Sequence, residues 1–228
     1  MEKNENGRFF MSNKLLIFDL DGTLADTLYT IKDAVNMCME HYGFPQQSYT
    51  QVRANVGNGV RVLIEKSLPD SVPKDSELFE EILEYFRSCY AKTHDNIDGC
   101  YDGLYDVVLR LKECGYKLAV LSNKPDPLVK SIIKKLFADG VFSFVAGQNE
   151  MPRKPDPTVP RMIADGLGID YSDCYFIGDS EVDILTAKNS GFFSVAVSWG
   201  FRDREALLDA DRVVDSPDEL LALFDKNI

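Results

Sequence analysis

Apolar positions in this chain follow two patterns: short continuous runs, and longer segments in which apolar residues recur every three or four positions. The runs are typical of buried β-strands and the spaced segments of α-helices. Beyond residue 100 the two patterns alternate, which indicates βαβ units and a parallel sheet covered on both faces. The predicted strands are 14–20, 117–121, 142–146, 174–177, 193–197 and 212–214, and the predicted helices are 104–114, 127–137, 158–167, 182–189 and 217–224.

One long stretch lacks any strand pattern. Between residues 28 and 96 the chain shows amphipathic helical segments, at 29–42, 49–55, 60–68 and 76–92. Gly and Pro residues separate these segments, as in Gly57-Asn58-Gly59. We therefore expect a helical insertion, residues 28–96, after the first strand of an α/β core formed by residues 14–27 and 97–228. Within the insertion, Tyr85, Phe86 and Tyr90 are predicted to pack in its interior.

Composition excludes several classes of protein. The 228 residues include 25 Lys and Arg against 37 Asp and Glu, a net charge of −12, so we expect no nucleic-acid partner. No apolar run is long enough to span a bilayer, and the polar segment 1–13 does not resemble a secretory signal. Five scattered cysteines without a CxxC spacing predict a reduced, cytoplasmic protein.

Two aspartates, Asp19 and Asp21, follow the first predicted strand and precede Gly22. They are expected at the carboxyl edge of the sheet, where open α/β sheets bind ligands, although a polar turn at a strand end is the simpler alternative. The segment FDLDGTLADT, residues 18–27, resembles the first signature of the haloacid dehalogenase-like (HAD) phosphatases. The resemblance implies that Asp19 attacks phosphorus and that Asp21 acts as general acid and base.

A phosphate monoester and an ionised Asp19 together carry about three negative charges, so a cation is needed beside them. The segment GDSEVD, residues 178–183, resembles the fourth signature of the same family. It implies a Mg²⁺ site formed by Asp19, Asp179 and the backbone carbonyl of Asp21. Asp183 is expected to bind a metal-coordinated water or to orient Lys154. Asp179 as a simple helix N-cap is the alternative.

Two further segments resemble the remaining signatures. Ser122 and Asn123 follow the second core strand, where the family binds phosphate with a hydroxyl and backbone N–H groups, and ordinary turn chemistry is the alternative. Lys124, next to them, is a weaker candidate. Lys154, in the segment KPDP, is implied to pair with Asp19 and with the transferring phosphoryl group.

In this family a helical insertion after the first signature is a mobile cap, which suits small substrates. The fold implied is α/β, with a Rossmann-like, HAD-like parallel-sheet core and an α-helical cap domain. Gly57, Asn58 and Gly59 resemble a loop of phosphoglycolate phosphatases and are implied to set substrate selectivity, with an interhelical turn as the alternative. Arg53 and Arg61, near this loop, are candidate anion contacts.

We therefore expect a Mg²⁺-dependent phosphatase that acts on a small phosphorylated metabolite through an aspartyl-phosphate, with 2-phosphoglycolate as the first candidate. A phosphomutase of the β-phosphoglucomutase type stays open, as do phosphatases for nucleoside monophosphates, sugar phosphates or pyrophosphate. The sequence is compatible with a monomer or a homodimer, and with no membrane partner.

Overall fold

The computed structural model describes residues 13–94, 96–97 and 99–224, so most of the polar segment 1–13 lies outside the described residues. Its centre is a six-stranded sheet in the order β3-β2-β1-β4-β5-β6, and all neighbouring strands are parallel. The strand order reverses between β1 and β4, and open α/β sheets bind ligands at such a point. The strands are β1 Leu15–Phe18, β2 Lys117–Pro125, β3 Phe144–Gln148, β4 Cys174–Gly178, β5 Phe193–Val197 and β6 Arg212–Val214.

Helices follow the strands as predicted, and among the described residues five of them lie between β1 and β2, the first four within the predicted insertion. Those four are α1 Leu28–His41, α2 Tyr49–Asn55, α3 Val60–Ser67 and α4 Glu77–Thr93. The others are α5 Leu104–Glu113, α6 Asp126–Leu136, α7 Thr158–Leu167, α8 Glu181–Ser190 and α9 Pro217–Phe224. None of the helices in the described part of the chain combines the length and the apolar character that a membrane span requires.

The central strand β1 explains why the sheet is covered on both faces. Its side chains alternate, with Leu16 and Phe18 in one apolar cluster and Leu15 and Ile17 in another, on opposite faces of the sheet. All four are fully buried. Each such side chain contributes about 1.5–3 kcal/mol to folding, so β1 is held firmly beneath the residues that follow it.

The helices α1–α4 build an apolar cluster of their own. It includes Leu28, Phe79 and Phe86, and Phe201 from the core also packs into it. This separate cluster supports the division into residues 14–27 with 97–228 and residues 28–96, which stays a prediction. We call α1–α4 the cap below.

Two strands differ most from their predicted bounds, while β1 is shorter than the predicted 14–20 and β4 one residue longer than the predicted 174–177. β2 continues to Pro125 instead of ending at residue 121, so Ser122, Asn123 and Lys124 belong to the strand. Because these three residues are polar, the apolar pattern did not reveal the extension. The pairing of β2 with β3 shifts register between Leu121 and Pro125. β3 runs two residues later than predicted.

Candidate active site

The ends of the adjacent strands β1 and β4 bring Asp19 and Asp179 together. The backbone N–H of Asp19 still donates to the carbonyl of Ile177, at 2.9 Å, so Asp19 is fixed to the sheet. Gly22 has a φ of +85°, and a Cβ there would lie 2.3 Å from Asp179 Oδ2. Only glycine allows the turn after Asp21 to pass so close to the Asp179 carboxylate.

A buried lysine lies between two of the site's carboxylates. Lys154 Nζ is 2.9 Å from Asp19 Oδ1 and 2.7 Å from Asp183 Oδ1. Asp183 Oδ2 in turn accepts hydrogen bonds from the backbone N–H and the hydroxyl of Ser180, at 3.1 and 2.6 Å. Asp183 is therefore placed to orient Lys154, one of the two arrangements expected from the sequence.

Asp21 faces a different group of residues. Its Oδ1 accepts hydrogen bonds from the hydroxyl of Thr27 at 2.6 Å and from Lys124 Nζ at 2.8 Å. The same ammonium group contacts the hydroxyl of Tyr90, which comes from cap helix α4. Burial, and then the charge of Asp21, raise the pKa of Tyr90, so that hydroxyl stays protonated. Lys124 is thus at the site, and a cap side chain touches the residue that contacts Asp21.

The structure adds to the prediction for Tyr90. Its ring packs against Phe86 with 5.5 Å between ring centroids, as a residue of the cap interior would. Its hydroxyl, however, leaves the cap and reaches Lys124 on β2. Helical spacing identifies the apolar face of α4 but not which of its rings extends to the core.

Ser122 and Asn123 line the same cavity as Asp19 and Asp21. The Ser122 hydroxyl accepts from the backbone N–H of Lys124 at 3.3 Å, and among the described residues no acceptor takes its own proton. The Asn123 side chain is occupied: it accepts from the N–H of Lys154 at 2.9 Å and donates to the carbonyl of Lys154 at 3.1 Å. Any phosphate contact by Asn123 therefore falls to its backbone.

The cap covers this cavity with mostly apolar side chains, and the core supplies its polar side. Gly57 and Gly59 line the cavity, whereas Asn58 is not among the described residues that do. The cap side chains that line it are Ile31, Val56, Val60, Leu63 and Tyr90.

Neither of the two arginines expected to contact an anion, Arg53 and Arg61, is placed to bind phosphate, because each pairs with a carboxylate. Arg61 lies 2.7 Å from Glu80, inside the cap and exposed to solvent, so the expectation of an anion contact there is not met in this arrangement. Arg53 forms an ion pair of 3.0 Å with Asp203 of the core. Arg202, which no sequence motif indicated, lines the cavity instead.

Comparison with known proteins places the chain in a family. A family model described as haloacid dehalogenase-like hydrolase matches residues 16–197. The chain belongs to the haloacid dehalogenase-like hydrolases. This agrees with the resemblance of its signatures and with its α/β fold, so the predicted family and fold class are confirmed.

This chain is similar to several proteins named phosphoglycolate phosphatase. Phosphoglycolate phosphatase 1 of Pseudomonas aeruginosa is 31% identical over 219 residues, which cover 93% of this chain and 80% of that protein. A Vibrio parahaemolyticus phosphoglycolate phosphatase is 33% identical over 215 residues, 91% of this chain and 94% of that one. A crystal structure from Lactobacillus delbrueckii subsp. bulgaricus, proposed to be a phosphoglycolate phosphatase, superposes with a TM-score of 0.85 at 31% identity, over 93% of this chain and 98% of that one.

The acidic cluster of this hydrolase has the charge and the donors that suit a divalent cation. Asp19, Asp179 and Asp183 each offer a carboxylate oxygen, and these oxygens lie within 4.8 Å of one another. All three residues are buried, and Lys154 pairs with two of them, Asp19 and Asp183. An oxygen-only donor set with excess negative charge is what hard cations such as Mg²⁺ prefer.

Charge and burial shift the pKa values in this cluster. Burial raises the pKa of Asp19 to about 7, against the attraction of Lys154, and burial with the charges of Asp183 and Asp19 raises that of Asp179. Burial opposes the charged form of Lys154, but the attraction of Asp183 and Asp19 outweighs it and raises the pKa of Lys154. A bound cation would offset the burial and the mutual repulsion that raise the pKa values of Asp19 and Asp179, which supports the predicted metal site.

Proposed function

We propose that this hydrolase cleaves a small phosphate monoester at Asp19, and that 2-phosphoglycolate is its first candidate substrate. The observation that carries the proposal is the pairing of two carboxylates at one sheet edge with two different lysines. Lys154 lies 2.9 Å from Asp19 and Lys124 lies 2.8 Å from Asp21. The names of the relatives support phosphoglycolate as the substrate.

In the first half of the reaction an Asp19 carboxylate oxygen attacks phosphorus, and the bond from phosphorus to the substrate's ester oxygen breaks. The leaving oxygen takes a proton from the carboxyl of Asp21. The Lys154 ammonium lies beside Asp19 and offsets the charge of the phosphoryl oxygens, and the Ser122 hydroxyl donates to one of them. Asp19 then carries the phosphoryl group as an acyl phosphate.

In the second half, Asp21 accepts a proton from water, and the water oxygen attacks phosphorus. The bond between phosphorus and Asp19 breaks, and inorganic phosphate leaves. A Mg²⁺ ion held by Asp19, Asp179 and the Asp21 carbonyl would supply positive charge beside the phosphoryl oxygens. Lys124 and Thr27 both bind Asp21 Oδ1, so they hold the carboxyl in one orientation while its proton moves.

The way the cap covers the cavity supports the proposal that the substrate is small. Apolar side chains such as Val60 and Leu63 cover the polar residues of the core, and water is excluded when the cap is closed over them. The backbone N–H groups of Gly57 and Gly59 are the proposed contacts for a second polar group of the substrate. Asn58 stays a proposed selectivity residue, although its side chain does not line the cavity in this arrangement.

The test is a product assay with purified protein and Mg²⁺ on a panel of small phosphate esters. We expect phosphate release that is fastest with 2-phosphoglycolate and absent in Asp19→Asn. The panel includes β-glucose 1-phosphate, from which a phosphatase yields free phosphate and a mutase yields glucose 6-phosphate. Full activity of Asp19→Asn, or glucose 6-phosphate as the main product, would contradict the proposal.

A further inference from the structure

The loop between cap helices α2 and α3 is hydrogen-bonded to the core at three consecutive carbonyls. Arg202 Nη2 donates to the carbonyl of Val56 at 2.6 Å, and Asn123 Nδ2 donates to that of Gly57 at 3.2 Å. Arg153 Nη1 donates to the carbonyl of Asn58 at 2.9 Å. These three donors come from β2, from the loop before α7 and from the loop after β5. The core therefore contacts this loop from three separate segments.

The glycines of the loop lie against two of these donors, Arg202 and Arg153. A Cβ at Gly57, where φ is +115°, would lie 3.4 Å from Arg202 Nη2. A Cβ at Gly59, where φ is +84°, would lie 3.5 Å from Arg153 Nη1 and 3.1 Å from Gln148 Oε1. The positive φ angles favour glycine at both positions, and at Gly59 a Cβ would also crowd Gln148. This accounts for the glycines without a substrate.

Asn123 links the loop to the proposed phosphate-binding lysine. Its Nδ2 donates both to the carbonyl of Gly57 and to the carbonyl of Lys154, and its Oδ1 accepts from the N–H of Lys154. The Asn123 amide is buried, so water competes little for these bonds. If the loop leaves the core, the amide loses one of its partners and its orientation against Lys154 is less restricted.

We propose that Asn123, Arg153 and Arg202 act as a latch, positioning residues that hold the cap loop on the core and thereby fix the backbone of Lys154. The Lys154 ammonium is then correctly placed for the substrate only while the cap loop is hydrogen-bonded to the core. This inference rests on the proposed function for the role of Lys154 toward phosphate, but the coupling itself belongs to the protein without substrate. Arg202 is central, because it also donates to the carbonyl of Arg53 at the end of α2, at 2.9 Å.

The coupling is measured by hydrogen–deuterium exchange in the protein without substrate. The segment 152–158 contains three prolines, which have no amide hydrogen, so exchange at the Lys154 N–H contributes a large part of its signal. We expect Arg202→Gln to speed exchange at Lys154 about tenfold, and Arg202→Lys to give an intermediate rate, because lysine can still donate to one carbonyl. The matched control is Arg204→Gln, since Arg204 pairs with Asp215 at 3.0 Å within the core.

Three results would overturn the latch. The first is an exchange rate at Lys154 that is the same in Arg202→Gln as in the unaltered protein. The second is an equal acceleration in Arg204→Gln, which would indicate general loosening. The third is a fall in kcat/KM for Arg202→Gln with unchanged exchange at Lys154, which would make Arg202 a substrate contact. Absence of phosphatase activity in the unaltered protein would refute the proposed function but leave the exchange result standing.

Discussion

Lys124 Nζ lies 2.8 Å from Asp21 Oδ1, and the lysine side chain of this pair is only 1% exposed. An ammonium group so deeply buried needs partners, and Asp21 and the Tyr90 hydroxyl are the ones that the structure provides. The proposed acid and base of the reaction is therefore held by a core lysine that also contacts the cap. Lys124 therefore also connects the proposed chemistry with the position of the cap.

Replacing Lys124 by methionine keeps most of the apolar stem and removes the charge. We expect kcat for a small phosphate ester to fall by about 100-fold, because Asp21 loses the group that orients its carboxyl. Steady-state kinetics measures the change, and circular dichroism confirms folding. Lys130→Met is the matched control, since Lys130 is 60% exposed and pairs with Asp126 on α6, and its kcat should stay unchanged. Equal kcat values in the two variants would argue against a role for Lys124.

Replacing Tyr90 by phenylalanine removes only the hydroxyl that contacts Lys124. The ring still packs on Phe86, so we expect a loss of about 1–2 kcal/mol in the free energy of unfolding and a tenfold lower kcat/KM. Urea denaturation and steady-state kinetics measure the two effects. In the control, Tyr85→Phe on the same helix, the ring stacks on His41 and kcat/KM should not change. Full kcat/KM in Tyr90→Phe would contradict a role for this hydroxyl in holding Lys124.

Gly22→Ala separates backbone strain from damage to the metal site. Its Cβ would lie 2.3 Å from Asp179 Oδ2, whereas at Gly43, with a φ of +70°, nothing lies within 4 Å of a Cβ. Gly22→Ala and the control Gly43→Ala should each lose about 1–2 kcal/mol in the free energy of unfolding, because alanine is strained at a positive φ. Only Gly22→Ala should also lose Mg²⁺ affinity, by at least tenfold in isothermal titration calorimetry. Similar Mg²⁺ affinities in both variants would remove Asp179 from the site.

The raised pKa of Asp19 predicts a pH dependence with a definite sign. The pKa of Asp19 is 3.8 in an unfolded chain and about 7 in the folded protein, where the residue is buried. Between about pH 4 and pH 7, Asp19 of the folded metal-free protein therefore binds a proton that the unfolded chain does not. Through this group, the metal-free protein therefore loses stability as the pH rises from about 4 to 7. Mg²⁺ competes with the same proton, so its affinity should rise across this range, with proton release that calorimetry in buffers of different ionisation heat detects. Affinity independent of pH would contradict this.

Much of the fold was predictable because its signals are local. The apolar runs and the helical spacing placed β1, β4 and the helices of the core, and their alternation implied a parallel sheet. Asp19, Asp21 and Asp179 directly follow two of these strands or their turns, so their meeting at one edge follows from the topology. The positions of these residues after the predicted strands, together with the family resemblance, were sufficient to predict this part of the site.

Contacts between the cap and the core were not predictable in the same way. Tyr90 and Lys124 are 34 residues apart, and Arg202 and Val56 are 146 apart, so no spacing rule connects them. The extension of β2 beyond Leu121 was hidden because polar residues interrupt its apolar pattern. The glycines at 57 and 59 were visible in the sequence, but only the structure shows which core side chains lie against them.

The central claim is that Asp19 carries the phosphoryl group, and the most direct measurement is peptide mapping of the trapped intermediate. Asp21→Asn is mixed with an aryl phosphate, whose good leaving group needs little help from an acid, and is quenched in acid for mass spectrometry. We predict that the phosphorylated peptide contains Asp19 and that the modification is on this residue. Phosphate on any other residue, or no phosphorylated peptide while turnover continues, would contradict the account.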